Sequence, residues 1–325
     1  MAEFSRRTAL AAAAMLAAGP AAAQGEFPGR PVTIIVPFPP GGATDFIARP
    51  LGAALQRLWG QSVVLQNRAG AGGAIGMQAG ATARPDGLTG LIAHVAYSSI
   101  PASDALFGRP PGFDRAALAP VALLTADPLM LVVKGDAPWR SWQDFLEDAK
   151  RRPGELAYGS SGPYSALHLP IEMLAHAGGV RLNHVPYAGG GPAMTAVLSN
   201  TIAATAAVPS VAAPFIRDGQ LRALVNTGAK RVALLPDVPT AMELGFREVE
   251  FYLWVGLFTQ AAVPAEIQRR LREGVAAALA DADTQRQLAS TGTVLDLRLG
   301  EAFQSFLEAD RLRVEAAVQR IGRVD

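Results

Sequence analysis

The sequence predicts an α/β protein of two lobes, the first of them completed by the chain's own C-terminus. Three observations predict this. Strand-like and helix-like segments alternate along most of the chain. Two extended stretches, Ala119 to Val133 and Phe251 to Phe258, break the alternation and read as crossings between lobes. The last third is helical, and no low-complexity linker separates two independent units. Residues 24–125 and 251–325 then form lobe 1 and residues 126–250 form lobe 2, with the crossing strands as the hinge.

The elements follow in order. Ser5 to Leu10, with Arg6 and Arg7, open a weakly apolar stretch that ends at Gly19 and Pro20 before the run Ala21, Ala22, Ala23. This pattern predicts an export signal over residues 1–23, cleaved near Ala23, which places the mature protein in the periplasm. The arginine pair resembles a twin-arginine leader, and an ordinary secretory leader with a chance pair is the alternative. A membrane helix would need about 20 consecutive apolar residues, which Gly19 and Pro20 interrupt.

Val32 to Val36 is β-branched and apolar at both parities, the mark of a strand covered on both faces. Ile47, Leu51, Ala54, Leu55 and Leu58 recur at helical spacing until Gly60, and Ser62 to Gln66 reads as the next strand. Pro50 lies inside that helix pattern, so either the first turn from Thr44 is kinked or the regular helix begins at Pro50. The rhythm continues with a helix over Ser141 to Lys150, a strand over Leu156 to Tyr158 and a helix from Ser165 to His176. A strand at His184 to Pro186, a helix over Pro192 to Leu198 and a strand over Leu221 to Thr227 complete the middle. Ile267, Leu271, Val275 and Leu279 then share one helix face, as do Phe303, Leu307, Val314, Val318 and Ile321.

Composition narrows the function. At 325 residues, 50% hydrophobic and 18% charged, the chain is globular and long enough for two cores. Leaving out Glu3, Arg6 and Arg7 of the leader reduces the 29 basic and 28 acidic side chains to 27 of each. That balance argues against nucleic acid or an anionic membrane as the main partner. The absence of cysteine removes disulfides, thiolate metal sites and thiol nucleophiles.

Three strand-to-helix junctions carry the functional signal. Pro37 to Asp45 places Gly41 and Gly42 before a helix start, where free backbone amides present partial positive charge to an anion such as a carboxylate. Taken alone, the same residues also make a tight turn capped by Thr44 or Asp45. Tyr158 to Ser165, with Ser160, Ser161, Gly162 and Tyr164, repeats the arrangement in the other lobe. Tyr187 to Pro192 supplies a glycine run before a helix-start proline. Three such junctions favour a cleft over three unrelated turns.

Catalytic motifs fare poorly. Gly159 to Pro163 lacks the last glycine of a G-x-S-x-G elbow, no phosphate-binding G-x-x-x-x-G-K-[ST] occurs, and Ile75 stands where Gly70 to Gly76 would need the third dinucleotide-binding glycine. The four histidines, His94, His168, His176 and His184, form no metal-binding pair and read as packing or surface residues, with His168 kept as a site candidate. No catalytic residue, metal or cofactor is expected.

At these residues the chain resembles the periplasmic solute receptors of tripartite tricarboxylate transporters, the Bug family. The resemblance covers essentially the whole mature chain. It rests on Ile34 to Asp45, Asn67 to Gly76 with Pro85, Asp86 and Gly87, and Ser160 to Gly162 with His168 and Leu169, together with His184 to Tyr187 and Leu235 to Thr240. It implies a two-lobed periplasmic-binding-protein fold (a Venus flytrap, type II-like) that closes on a small carboxylate and presents it to the membrane permease subunits of a transporter. A monomer is expected. Carried over, Phe38, Gly41, Gly42, Ala43, Thr44 and Asp45 form the first-lobe contact. Ser161, Gly162, Ser165 and His168 form the second, Tyr187 with the following glycines lines the floor, and Ser160, Tyr164 and Ala206 are further candidates for ligand contact. This chain departs from relatives at Pro163 and Tyr164, and at Ala206 and Ala207 where an acidic or amide pair is common. Those changes shift the expectation towards a less polar or aromatic distal group. Two other functions remain open on sequence: an exported serine hydrolase using Ser161 or Ser165 with His168, and a liganded partner for a membrane sensor.

Overall fold

The alternating pattern resolves into two mixed sheets. A computed structural model describes residues 27–290 and 293–324, so the leader assigned to 1–23 lies outside the described residues. The first sheet contains β1 (Val32–Val36), β2 (Val63–Asn67), β3 (Thr89–His94), β4 (Leu118–Pro128), β10 (Tyr252–Gln260) and β11 (Leu295–Leu299), in the order β11-β4-β10-β3-β1-β2. The second contains β5 (Met130–Lys134), β6 (Ala157–Ser160), β7 (Asn183–Pro186), β8 (Ala204–Ala207) and β9 (Leu221–Asn226), in the order β7-β6-β8-β5-β9. In the first sheet β1 runs parallel to both its neighbours, β2 and β3. In the second β6 does the same between β7 and β8. Antiparallel β10 and β4 then extend the first sheet, and antiparallel β5 and β9 the second.

Burial on both faces explains the continuous apolar runs. On β5, Leu131 and Val133 join the large core while Met130 and Val132, at the opposite parity, join a second core with Met194, Val197 and Leu221. Ala206 and Ala207 of β8 divide in the same way. Among the described residues no helix is long and apolar enough to cross a membrane.

The helices are α1 (Ala43–Trp59), α2 (Ala74–Ala81), α3 (Ala96–Leu106), α4 (Trp142–Arg151), α5 (Leu169–Gly178), α6 (Gly190–Leu198), α7 (Pro209–Arg217), α8 (Ala265–Ala280), α9 (Ala282–Ser290) and α10 (Glu301–Ile321). Helix α1 begins at Ala43 and carries Pro50 buried within it, so the alternative of a start at Pro50 is wrong. Gly60 ends it in the left-handed conformation that glycine adopts at low cost. Helix α5 begins four residues later than Ser165. Gly162 (φ 111°) and Tyr164 (φ 56°) take left-handed backbone, and the Tyr164 amide donates to His168 Nδ1 at 3.2 Å, so residues 161–168 stay as turns. Four elements carry little sequence signal. Strand β8 is Ala-Thr-Ala-Ala, without bulky β-branched residues, and α7 and α3 hold Pro214 and Pro101 in their interiors. Strand β11, in the third predicted to be helical, is an alternating edge strand, Leu-Asp-Leu-Arg-Leu.

The chain passes from the first sheet to the second at Leu129, between β4 and β5, and returns at Phe251, before β10. Thr227 fastens the two passages together. Its amide donates to the Leu129 carbonyl at 2.8 Å, and its carbonyl accepts from the Phe251 amide at 2.9 Å. Its Oγ1 accepts from the Leu129 amide at 3.1 Å and donates to the Phe251 carbonyl at 2.7 Å. All of this is buried, with Thr227 at 1% exposure. Thr227→Val keeps the shape and strands two buried backbone groups, so it should cost about 1–3 kcal/mol. Thermal melting checks this: the expected fall in Tm is about 2–8 °C, and an unchanged Tm would show that the hydroxyl contributes nothing.

Candidate functional site

Strands β1 and β6 each have a parallel neighbour on either side, with the chain leaving in opposite directions. Such switch points open crevices outside the carboxyl ends of strands. Both lead directly into the glycine-containing loops singled out from sequence.

The first loop is held from beneath. The Asn67 side-chain amide donates to the Phe38 carbonyl at 2.8 Å, and the Phe38 ring stacks on His94 with centroids 4.3 Å apart. Gly73, on the facing loop, leaves room for that ring, since a Cβ there would lie 2.8 Å from Phe38 Cζ. Gly41 has a φ of 86°, which explains glycine at this position. Helix α1 starts at Gly42 without a side-chain cap, so neither Thr44 nor Asp45 caps it as the turn reading supposed. Asp45 folds back instead. Its Oδ2 accepts from the Gly41 amide at 3.2 Å and from Arg49 Nε at 2.7 Å, which holds the Arg49 guanidinium above its ordinary pKa. The carboxylate therefore braces the loop. The amides of Ala43 and Thr44, in the first helical turn, have no carbonyl to bond within the helix.

The second loop is buried more deeply. Ser160 Oγ accepts from the Gly162 amide at 3.0 Å and lies 2.6 Å from His184 Nε2. His168 sits behind it with its ring edge-on to His184, centroids 4.4 Å apart. Burial, then the neighbouring His184, pushes the His168 pKa down to about 3, and burial pushes His184 down to about 4. Tyr164 points elsewhere: its hydroxyl donates to the Gly322 carbonyl at 2.9 Å and accepts from the Val324 amide at 2.9 Å, tying the loop to the C-terminus. At the third junction α6 begins with Gly190 and Gly191, and this start lies close to Pro39 and Pro40 of the first loop. A Cβ on Gly189 would lie 3.0 Å from Pro39 Cδ.

One cleft gathers these pieces. Phe38, Gly41, Gly42, Ala43, Thr44, Ser161 and Ala206 border it among the residues singled out from sequence. Asp45, Ser160, Gly162, Tyr164, Ser165, His168 and Tyr187 do not. Ser160 and His168 are buried, Tyr164 and Ser165 line a separate cavity with Gly72, Ser103 and Asp104, and Tyr187 packs its ring against Gly159. Gly162 faces Gly72 of the other loop. Residues that sequence reasoning missed also border it, His94, Leu167, Met194, Val208, Val211 and Leu253 among them. His94 ends β3 beside the β1 switch point, and that position was the signal available for it.

No lining residue is acidic or a permanent cation. His94 accepts from the Ala96 amide at Nδ1 (3.0 Å), which leaves Nε2 to carry the proton as a donor. Burial pushes its pKa down to about 3, so the ring is neutral. The cleft thus offers an anion only dipoles: amides at two helix starts, the Ser161 and Thr44 hydroxyls and one imidazole N–H. Each helix start contributes about 0.3–1 kcal/mol when exposed and up to about 2 when partly buried.

Residues 47–322 match the family model described as "Tripartite tricarboxylate transporter family receptor". The chain belongs to that family. BugT of Bordetella pertussis is 34% identical over 296 residues, 90% of each chain. Among solved structures, the periplasmic binding protein BugD is 29% identical with a TM-score of 0.84, covering 91% of this chain and 99% of its own. MatC of Rhodopseudomonas palustris, solved with bound malate, is 29% identical with a TM-score of 0.83, covering 90% of this chain and 99% of its own. A second R. palustris protein, solved with adipate, is 30% identical with a TM-score of 0.85, covering 91% and 99%.

The fold is therefore that of periplasmic binding proteins, and this member of the tripartite tricarboxylate receptors is a solute-binding receptor rather than an enzyme. The geometry agrees. His168 gives its Nδ1 to Tyr164, and its Nε2 is buried without a partner, so no pair with Ser161 or Ser165 is formed. The close Ser160–His184 pair is buried, with Ser160 at 0% exposure.

A neutral His94 fixes the pH behaviour of anion binding. Protonation would favour an anion, but it begins only near pH 3, where a carboxylic acid of ordinary pKa of about 4–5 is itself neutral. Affinity for a carboxylate should be flat from pH 8 to about 5.5 and then fall as the ligand protonates. Isothermal calorimetry across that range checks this; a rise in affinity between pH 7 and 5.5 would mean that His94 titrates normally.

Proposed function

We propose that this receptor captures a small carboxylate outside the cytoplasm and delivers it to the membrane permease subunits of a tripartite transporter. One observation carries the reading: free first-turn amides from α1 and α6, helices that follow strands of different sheets, border a single cleft without a competing acidic side chain. Malate and adipate in two solved relatives support the ligand class. In this reading residues 24–125 with 251–325 and residues 126–250 are the two lobes, and the Thr227 clasp is their hinge. The protein works as a monomer and reaches the periplasm by a leader over residues 1–23, cleaved near Ala23. Ser161 and Gly190 act from lobe 2, and Ala43 and Thr44 from lobe 1. Buried Ser160, Ser165 and His168 shape the second loop from behind, and Asp45 with Arg49 keeps the first loop in place.

Ala43→Pro tests the amide directly. Proline suits the first helical position and removes only an N–H, and Gly42, with ψ 174°, already has the extended backbone that precedes proline. A hydrogen bond to a charged group contributes about 1.5–3 kcal/mol, so the variant should lose about 10- to 150-fold in carboxylate affinity with its melting temperature kept. Wild-type protein should be stabilised by carboxylic acids and not by their primary amides in a thermal-shift panel. Equal stabilisation by acid and amide would sink the anion reading.

A further inference from the structure

We infer that the cleft selects a monocarboxylate with an apolar aliphatic or aromatic body and rejects a second carboxylate at the far end. The inference rests on the carboxylate-receptor reading and deepens it. Of the donors named above, the amides and the Thr44 hydroxyl lie at the starts of α1 and α6, His94 stacks on Phe38 of the first loop, and Ser161 stands on the second loop. The rest of the lining is largely apolar, with Leu167, Met194, Ala206, Ala207, Val211 and Leu253, none of which has a side chain able to hydrogen-bond an anion. Met194 and Ala207 belong to the apolar core behind that lining, and Val211 packs against it.

A third helix, α7, starts beside Val208 and Val211, and of its first four positions only Ser210 keeps an unengaged amide. Pro209 opens α7 and has no N–H, while the Val211 and Ala212 amides both donate to the Val208 carbonyl at 3.1 Å. Ser210 keeps an amide, but it does not border the cleft. Two polar side chains nearby, Thr205 on β8 and Asn226 on β9, are satisfied within the protein. Thr205 Oγ1 donates to the Gly159 carbonyl at 2.8 Å. Asn226 accepts from the Gly228 amide and donates to the Lys230 carbonyl at 3.1 Å. A second carboxylate would exchange its water for methyl, methylene and thioether groups, with no cation and no polar side chain among them to replace the lost hydration. An alkyl chain or aromatic ring loses nothing there and gains the burial.

Matched acids of equal length test this by calorimetry on the purified protein. Hexanoate is compared with adipate, and 4-methylbenzoate with terephthalate. The monoacid of each pair should bind at least about tenfold more tightly. Val211→Lys, which places a cation at the rim of the apolar wall on a half-buried position, should narrow or reverse the adipate-to-hexanoate ratio. Diacids that bind wild-type protein as well as or better than their monoacids would overturn the inference and leave the carboxylate-receptor reading intact. Failure of every acid to bind, with the melting temperature unmoved, would overturn both. If Val211→Lys does not fold, the wild-type pairs still decide.

Discussion

A peptide N–H in the first turn of a helix has no carbonyl to reach inside that helix, and the site is built around this constraint. The sequence leaves such groups bare on purpose-shaped junctions. Gly42 starts α1 without a capping side chain, and Gly189 does the same for α6, where a serine or aspartate would have taken the amides for itself. The acid that does occur, Asp45, turns back to Gly41 and Arg49 and leaves the Ala43 and Thr44 amides free. In the proposed reading, local choices that would be faults in a structural helix become the donors of a site.

The rest of the fold serves to bring two such starts together. Helix α1 follows β1 and helix α6 follows β7, the edge neighbour of β6, so the two starts come from different sheets. The passages at Leu129 and Phe251, joined by Thr227, then tether the two sheets to one another. Pro39 and Gly189 meet at the closed edge so tightly that any Cβ on Gly189 would press on the proline ring. A glycine is needed there by approach, and at Gly41 by backbone angle.

Much of this was legible in the sequence, for reasons that also mark the limits. Strand β1 shows because β-branched residues at both parities permit few other structures, and the glycine junctions show because glycine and proline are read locally. Strand β8 did not show. Its alanines are chosen by the closeness of neighbouring elements, and that closeness is tertiary. His94 was hidden for a related reason: a lone histidine says nothing until the fold sets it beside Phe38 at a strand end. The second loop misled in the opposite direction. His168, Ser165 and Ser160 sit beside the right glycine, yet left-handed backbone at Gly162 and Tyr164 turns this stretch so that Ser161 alone of its polar side chains reaches the cleft.

Holding an anion by dipoles alone has a consequence for release. A buried ion pair would remain strong after partial opening, because charge acts over many ångströms, whereas amide and hydroxyl dipoles act only at contact. In the proposed reading the donors are divided between helices that follow different sheets, so parting the two sheets would remove part of them at once and admit water to the rest. A receptor that must both retain its solute and surrender it to a membrane partner is better served by such a site than by an arginine clamp. On that proposal a lining without acid or permanent cation suits the task, and the apolar side chains would supply the retention that charge would otherwise provide.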